Sequence, residues 1–162
     1  MSKQETVYVE TSVVSYLTAR PSWDLVATAR QQFTAAWWAH RRKLYRVVAS
    51  PLVVEEAGRG DPVAASDRLD VLRGLAVVGP TTDTDALAEA LMHETPLPAK
   101  AAADAVHIAV ASTAGADYLL TWNFRHIANP VLRDQIARVC RSLGHEPPTL
   151  CSPEDLLEGT DP

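Results

Sequence analysis

Short β-branched and apolar runs alternate along this chain with longer segments of helical periodicity. The run Val7, Tyr8, Val9 predicts a first strand, and residues 23–42 predict a long helix with an aromatic and aliphatic face. The sequence YRVVA at 45–49 predicts a second strand. A short helix follows over 52–57, ended by Gly58 or Gly60, and another over 62–73 with Pro62 in its first turn. A third strand is expected at 75–78 and a helix at 83–92, capped by Thr82 or Asp83. Small residues at 100–114 predict a helix that stops at Gly115, before a fourth strand at 118–121. Residues 130–143 predict a helix ended by Gly144, and 149–150 a short fifth strand. Ser152, Pro153, Glu154 and Asp155 read as the capped start of a terminal helix.

Strands alternating with helices point to an α/β fold with a mostly parallel sheet. Such sheets place their sites at the carboxyl ends of the strands, where the strand order reverses. The polar residues just after each strand therefore carry the functional information.

Those residues are Glu10-Thr11-Ser12 after the first strand, Glu55-Glu56 after the second, and Thr121-Trp122-Asn123 after the fourth. Asp104 lies in the first half of the helix leading into the fourth strand. Glu10, Glu56, Asp104 and Asn123 are expected to converge on one edge of the sheet. Carboxylates brought close together repel, so such a cluster takes up protons or a cation. An oxygen-rich, sulfur-free set suits Mg²⁺ or Mn²⁺, and a divalent ion there can activate water and screen a phosphodiester under attack. No glycine-rich phosphate loop follows the first strand, where the sequence is ETSVVS.

Composition narrows the class. Apolar residues make up 47% and charged residues 22% of 162, as in folded proteins, which excludes disorder, coiled coil and collagen. The length fits a single domain over 1–162, with 152–162 as a short acidic tail carrying Glu154, Asp155, Glu158 and Asp161. No apolar run approaches the ~20 residues of a membrane span, and MSKQETVYVE lacks the apolar core of a signal peptide. A cytoplasmic location is expected. Cys140 and Cys151 read as small buried side chains rather than a metal knuckle. The net charge of −5 argues against nucleic-acid binding through overall charge, but not through a local basic surface.

Four segments, in this order, carry a resemblance: VYVETSVVSYL, SPLVVEEAGRG, AAADAVHIAVAS and YLLTWNFRHI. Together they resemble the PIN-domain family of small metal-dependent nucleases, which includes the VapC-type toxins of bacterial toxin–antitoxin systems. The second segment selects Glu56 over Glu55, because the family's acid follows a Ser by six positions and precedes a Gly by four. The resemblance implies a three-layer sandwich around a parallel sheet of about five strands in the order 3-2-1-4-5. It implies a metal-dependent endoribonuclease in which Glu10, Glu56 and Asp104 hold Mg²⁺ or Mn²⁺ and Asn123 orients the attacking water or the scissile phosphate. The products would carry a 5′-phosphate and a 3′-hydroxyl. A protein antitoxin is the implied partner and RNA the substrate; the alternative is a catalytically weak PIN-like module that binds nucleic acid or a protein. Two departures favour that alternative: Glu10 stands where the family usually has Asp, and His126 where many members carry another Asp.

Several neighbours add detail. Ser12, Thr121 and His126 are candidate auxiliary residues. His107, three residues after Asp104 in the apolar AVHIAVA, reads as a packed, hydrogen-bonded histidine, although the spacing can also present two ligands on one helical face. Glu55 reads as a solvated helix-start acid, and Trp122 as packed under its loop rather than stacking on a base. Arg41, Arg42 and Lys43 with Arg46 form a basic stretch suited to a helix end or to phosphates; with Arg125 they are the candidate nucleic-acid contacts. Trp23, Phe33, Trp37 and Trp38 give the long helix more aromatic surface than one small core uses. A homodimer or an antitoxin complex is expected from it. The apolar helix around Asp104 offers no other obvious need for a charge, so Asp104→Asn is expected to leave the metal-free fold as stable or more so.

Overall fold

The computed structural model describes residues 2–157. Five strands form one parallel sheet: β1 (Thr6–Val9), β2 (Arg46–Ala49), β3 (Ala76–Val77), β4 (Tyr118–Leu120) and β5 (Thr149–Cys151). Their order is β3-β2-β1-β4-β5, as expected. Register is set by pairs such as Val7 with Val47 and with Tyr118, so β1 is the central strand. All four β1 residues are buried, which is why Val7, Tyr8 and Val9 read as a continuous run rather than an alternating one.

The helices are α1 (Thr11–Thr18), α2 (Leu25–His40), α3 (Pro51–Ala57), α4 (Pro62–Arg73), α5 (Thr82–Glu94), α6 (Ala102–Thr113) and α7 (Arg133–Ser142). The helix α1 packs on α2, α3 and α4, while α5 packs on α6 and α7. The chain winds outward from β1 through β2 to β3, then crosses back to β4 and β5. Right-handed crossovers put these two helical groups on opposite faces of the sheet, which gives three layers. Strand order reverses between β1 and β4, so the switch point lies where Glu10 and Thr121 leave the sheet.

The helix α1 departs from expectation. Its sequence TSVVSYLT is β-branched and eight residues long, with no helix propensity to announce it. It forms because Glu10 caps it, accepting from the Ser12 N–H, and because Val13 and Val14 are fully buried. The cap of α5 is Thr81 rather than Thr82 or Asp83, and Thr81 and Thr84 bond reciprocally. Residues 99–101 form a 3₁₀ turn before α6, and α7 begins at Arg133, after the turns that follow Pro130. Ser152 and Asp155 do bond each other reciprocally, but residues 153–157 are turns. Glu158 and Asp161 of the acidic tail lie outside the described residues.

The aromatic helix resolves in parts. Trp37 is fully buried and stacks on Tyr45, whereas Trp38 is half-buried beneath Arg42. Trp23 precedes α2 and is fully exposed. Cys140 and Cys151 are free and buried. Among the described residues no helix is long and apolar enough to cross a membrane.

Candidate active site

Hydrogen bonds link Glu10, Asp104 and Asn123 through Thr121 at the carboxyl edge of β1 and β4 and tie Glu56 to Thr11 at the start of α1, each carboxylate held by its own partners. Glu10 leaves β1 and is buried; its Oε2 accepts from the Ser12 N–H (3.1 Å), from the Ser12 hydroxyl and from the Thr121 hydroxyl (2.8 Å). Thr121 Oγ1 in turn accepts from the Asn123 N–H at 2.9 Å, and Ser12 Oγ accepts from the Trp122 N–H at 2.8 Å. The ends of β1 and β4 are thereby bound together through side chains.

Asp104 sits in the first turn of α6, where the helix dipole favours an anion. Its Oδ1 accepts from Asn123 Nδ2 at 3.1 Å, and its Oδ2 lies 2.9 Å from His126 Nδ1. Asn123 Oδ1 accepts from the N–H groups of Arg125 and His126, so one amide side chain fixes both the loop and the acid. The helix around Asp104 is apolar, but two polar partners reach it from the loop after β4. The expectation that its charge serves nothing but a metal is corrected by that loop.

Glu56 projects from α3. Its Oε1 accepts from the Thr11 hydroxyl at 2.8 Å and lies 2.5 Å from His107 Nε2. Burial pushes this carboxyl up, but the hydrogen bonds of His107 and Thr11 and the nearby Arg59 guanidinium bring it below its ordinary value. His107 is fully buried on α6, and its Nδ1 lies 2.7 Å from the Tyr8 hydroxyl. That hydroxyl lies 2.7 Å from Ser50 Oγ, which caps α3. Burial drives the Tyr8 phenol strongly up. His107 is thus a packed, hydrogen-bonded histidine, as the apolar AVHIAVA suggests. Its polar partners are Tyr8 and Glu56, and it does not form an i, i+3 pair with Asp104.

Ser50 and Tyr8 are not among the residues that sequence reasoning selects, whereas Thr11 stands with Ser12 directly after the first acid. Two signals are present: a hydroxyl directly before Pro51 marks a cap, and Tyr8 carries a polar tip between the two valines of an otherwise apolar run. Glu55 is exposed and pairs with Arg59. Trp122 is buried under its loop, donating from Nε1 to Thr34 Oγ1 at 2.8 Å. Arg125 is exposed beside Asn123. Arg41, Arg42 and Lys43 precede β2 and so lie at the amino edge of the sheet, away from the acids.

The donor set is three carboxylates, the hydroxyls of Thr11, Ser12 and Thr121, and the Asn123 amide. All are hard oxygen donors, which fit Mg²⁺ or Mn²⁺. Glu10 Oε1 and Glu56 Oε2 accept no hydrogen bond among the described residues, so each keeps an oxygen to offer. Both oxygens of Asp104 are engaged. Among the described residues no group of three or more His, Cys, Asp or Glu side chains is arranged to hold a metal ion.

Strand order, helical layers and the polar network at the switch point define the fold class, an α/β sandwich of the PIN type. The solved structures it is similar to include the toxin VapC20 and a chain of VapBC2. Over 76% of this chain and 95% of the other, it is similar to Mycobacterium tuberculosis VapC20, a sarcin–ricin-loop-cleaving toxin, with 20% identity and a TM-score of 0.59. It is also similar to a chain of VapBC2 from Rickettsia felis bound to a DNA fragment from their promoter. That match has 13% identity, covers 91% and 98% of the two chains, and has a TM-score of 0.54. At these identities the likeness is one of fold. No family profile and no curated protein matches the chain.

Proposed function

We propose that this chain is a metal-dependent endoribonuclease and the toxin of a type II toxin–antitoxin pair, acting in the cytoplasm as a homodimer or in complex with its antitoxin. The observation that carries this reading is the joining of Glu10, Asp104 and Asn123 through Thr121 at the switch point of a VapC-like fold, with Glu56 held beside them by Thr11. In it, Glu10, Glu56 and Asp104 hold Mg²⁺ or Mn²⁺, while Ser12 and Thr121 fix the Glu10 carboxylate. A bound divalent ion would screen the phosphodiester and acidify water. Asn123 orients that water or the phosphate. The O–P bond forms as the P–O3′ bond breaks, leaving a 5′-phosphate and a 3′-hydroxyl. Arg125, exposed beside Asn123, meets the RNA backbone; Arg41, Arg42 and Lys43 serve a separate phosphate-contacting surface at the opposite edge.

One observation favours a second reading, a PIN-like module that binds nucleic acid or protein and cuts poorly. His126 stands against Asp104 where a further acid would otherwise draw in a cation.

The test is direct. Purified protein is incubated with single-stranded RNAs and structured hairpins, a sarcin–ricin-type loop among them, in Mg²⁺, Mn²⁺ or EDTA. The nuclease reading expects cleavage that EDTA abolishes and that leaves 5′-phosphate ends. Metal-independent cleavage, or none of any RNA, overturns it, and retention of a bound partner in the inactive case supports the second reading.

A further inference from the structure

A single file of polar groups runs from the cap of α3 through the core to Glu56: Ser50 Oγ, Tyr8 Oη, His107 Nδ1, His107 Nε2, Glu56 Oε1. Ser50, Tyr8 and His107 are all fully buried, so each proton in the file must find its acceptor within it. Ser50 Oγ already accepts the Val53 N–H that begins α3. Its own proton can go only to Tyr8 Oη among the described residues. Tyr8 then gives its proton to His107 Nδ1, and His107 gives its Nε2 proton to the Glu56 carboxylate. Every donor has one acceptor in this direction. In the opposite direction His107 Nδ1–H would donate to Tyr8 and Tyr8 to Ser50. The buried Ser50 hydroxyl proton would then face two donors and no acceptor, which is costly away from water.

We propose that His107 is the positioning residue of Glu56: the α3 cap, through Ser50 and Tyr8, locks its ring as the Nε2–H tautomer, and the ring clamps Glu56 Oε1 so that Oε2 faces the site. This rests on the nuclease reading above. The arrangement is physically economical. The same residue, Ser50, sets both where α3 begins and which way the proton file runs, so Glu56 is aimed from its own helix and from the core together. Outer partners that hold a carboxylate in this way typically change metal affinity or activity by 10–100-fold when removed.

The test joins a measurement on the unaltered chain to a pair of variants. Long-range ¹H–¹⁵N correlations of the His107 ring at neutral pH should report the Nε2–H tautomer; an Nδ1–H tautomer or an imidazolium overturns the proposal. His107→Phe should fill the ring's space but raise the Mn²⁺ concentration for half-binding, read by the free-Mn²⁺ electron paramagnetic resonance signal, by about tenfold or more. His107→Gln, whose amide can still donate to Glu56, should recover most of that loss. Equal Mn²⁺ binding in the Phe variant and the unaltered chain, or no recovery with Gln, overturns the assignment. Should the Phe variant fail to fold, Tyr8→Phe removes the proton that sets the tautomer, and its His107 correlations should then show a mixture; an unchanged tautomer counts against the relay. A chain that shows the tautomer and the variant pattern in Mn²⁺ binding, yet cuts no RNA, refutes the nuclease reading and keeps the relay.

Discussion

Asp104 shows how far a residue's chemistry reads from its own neighbours. The apolar helix around it suggests a charge kept only for a metal, but its partners Asn123 and His126 lie about twenty positions away, in a loop whose path no periodicity reveals. Asp104→Asn therefore should not leave the metal-free fold untouched. It removes the charge facing His126 and sets an amide group against one of its two partners. A loss of about 1 kcal/mol is expected, read as a lower urea midpoint without metal. The metal-dependent rise in melting temperature should shrink in the same variant, because one of three proposed ligands is weakened. A variant as stable as the parent in EDTA would restore the simpler view that Asp104 has no structural partner. Glu10 and Glu56 stand out in the sequence because they come after strands, and Asp104 because it opens an alanine-rich helix before the fourth strand. Their orientation was not legible, because it depends on the hydroxyls of Thr11, Ser12 and Thr121 meeting across the sheet.

Elements were legible wherever a local stop or cap fixed them, and illegible where packing alone did. The ends of α6 and α7 fall where Gly115 and Gly144 predict. Both glycines have positive φ, and both helix ends carry the same pair of bonds: Gly115 N–H to Ser112 O with Ala116 N–H to Ala111 O, and Gly144 N–H to Arg141 O with His145 N–H to Cys140 O. The helix α1 has no such signal; its β-branched sequence is held helical by the Glu10 cap and by burial of Val13 and Val14. The contrast gives a test at this scale. Gly115→Ala and Gly144→Ala should each cost about 1–2 kcal/mol, because a Cβ in the left-handed region is strained whatever space surrounds it. Gly74→Ala, at a φ of −83° that any residue adopts, should be neutral or gain about 0.4–1 kcal/mol by stiffening the unfolded chain. Denaturant melts of the three variants read the ranking directly, and equal effects at all three positions would remove the conformational explanation.

At the scale of the molecule, alternation of strands and helices was enough for the fold class, and the strand order came from the family resemblance that the four motif segments carry. Among the ionisable groups of the core, the burial of Cys140 and Cys151 was legible, but that of Tyr8 was not, because it depends on which faces the layers close over. Several of these groups crowd the half of the sheet formed by β1, β4 and β5 with α7 behind it. Burial, with Asp155 adding, pushes the Cys151 thiol up to about 12; burial and the Glu5 carboxylate push the Tyr118 phenol up to about 12. Burial also raises Cys140 and, more strongly, Tyr8. A group whose acidity is suppressed by folding binds its proton more tightly in the native state. The native chain therefore holds more protons than the unfolded one once pH passes the ordinary thiol and phenol values, about 8.5 and 10. Stability from these groups is complete below that point and is lost as pH climbs toward their native values. On the acid side Glu56 works the other way: its lowered native value contributes stability above about 4.5 that disappears as pH falls. Melting temperatures followed from pH 3 to 11 should form a plateau between about 5 and 8.5, with an alkaline decline steepening above 10. Cys151→Ala should flatten the part of that decline between about 9 and 10, because its thiol no longer contributes, while leaving the acid limb unchanged. An alkaline limb identical in the variant and the parent would show that the β4–β5 side of the core does not hold a thiol whose ionisation folding suppresses.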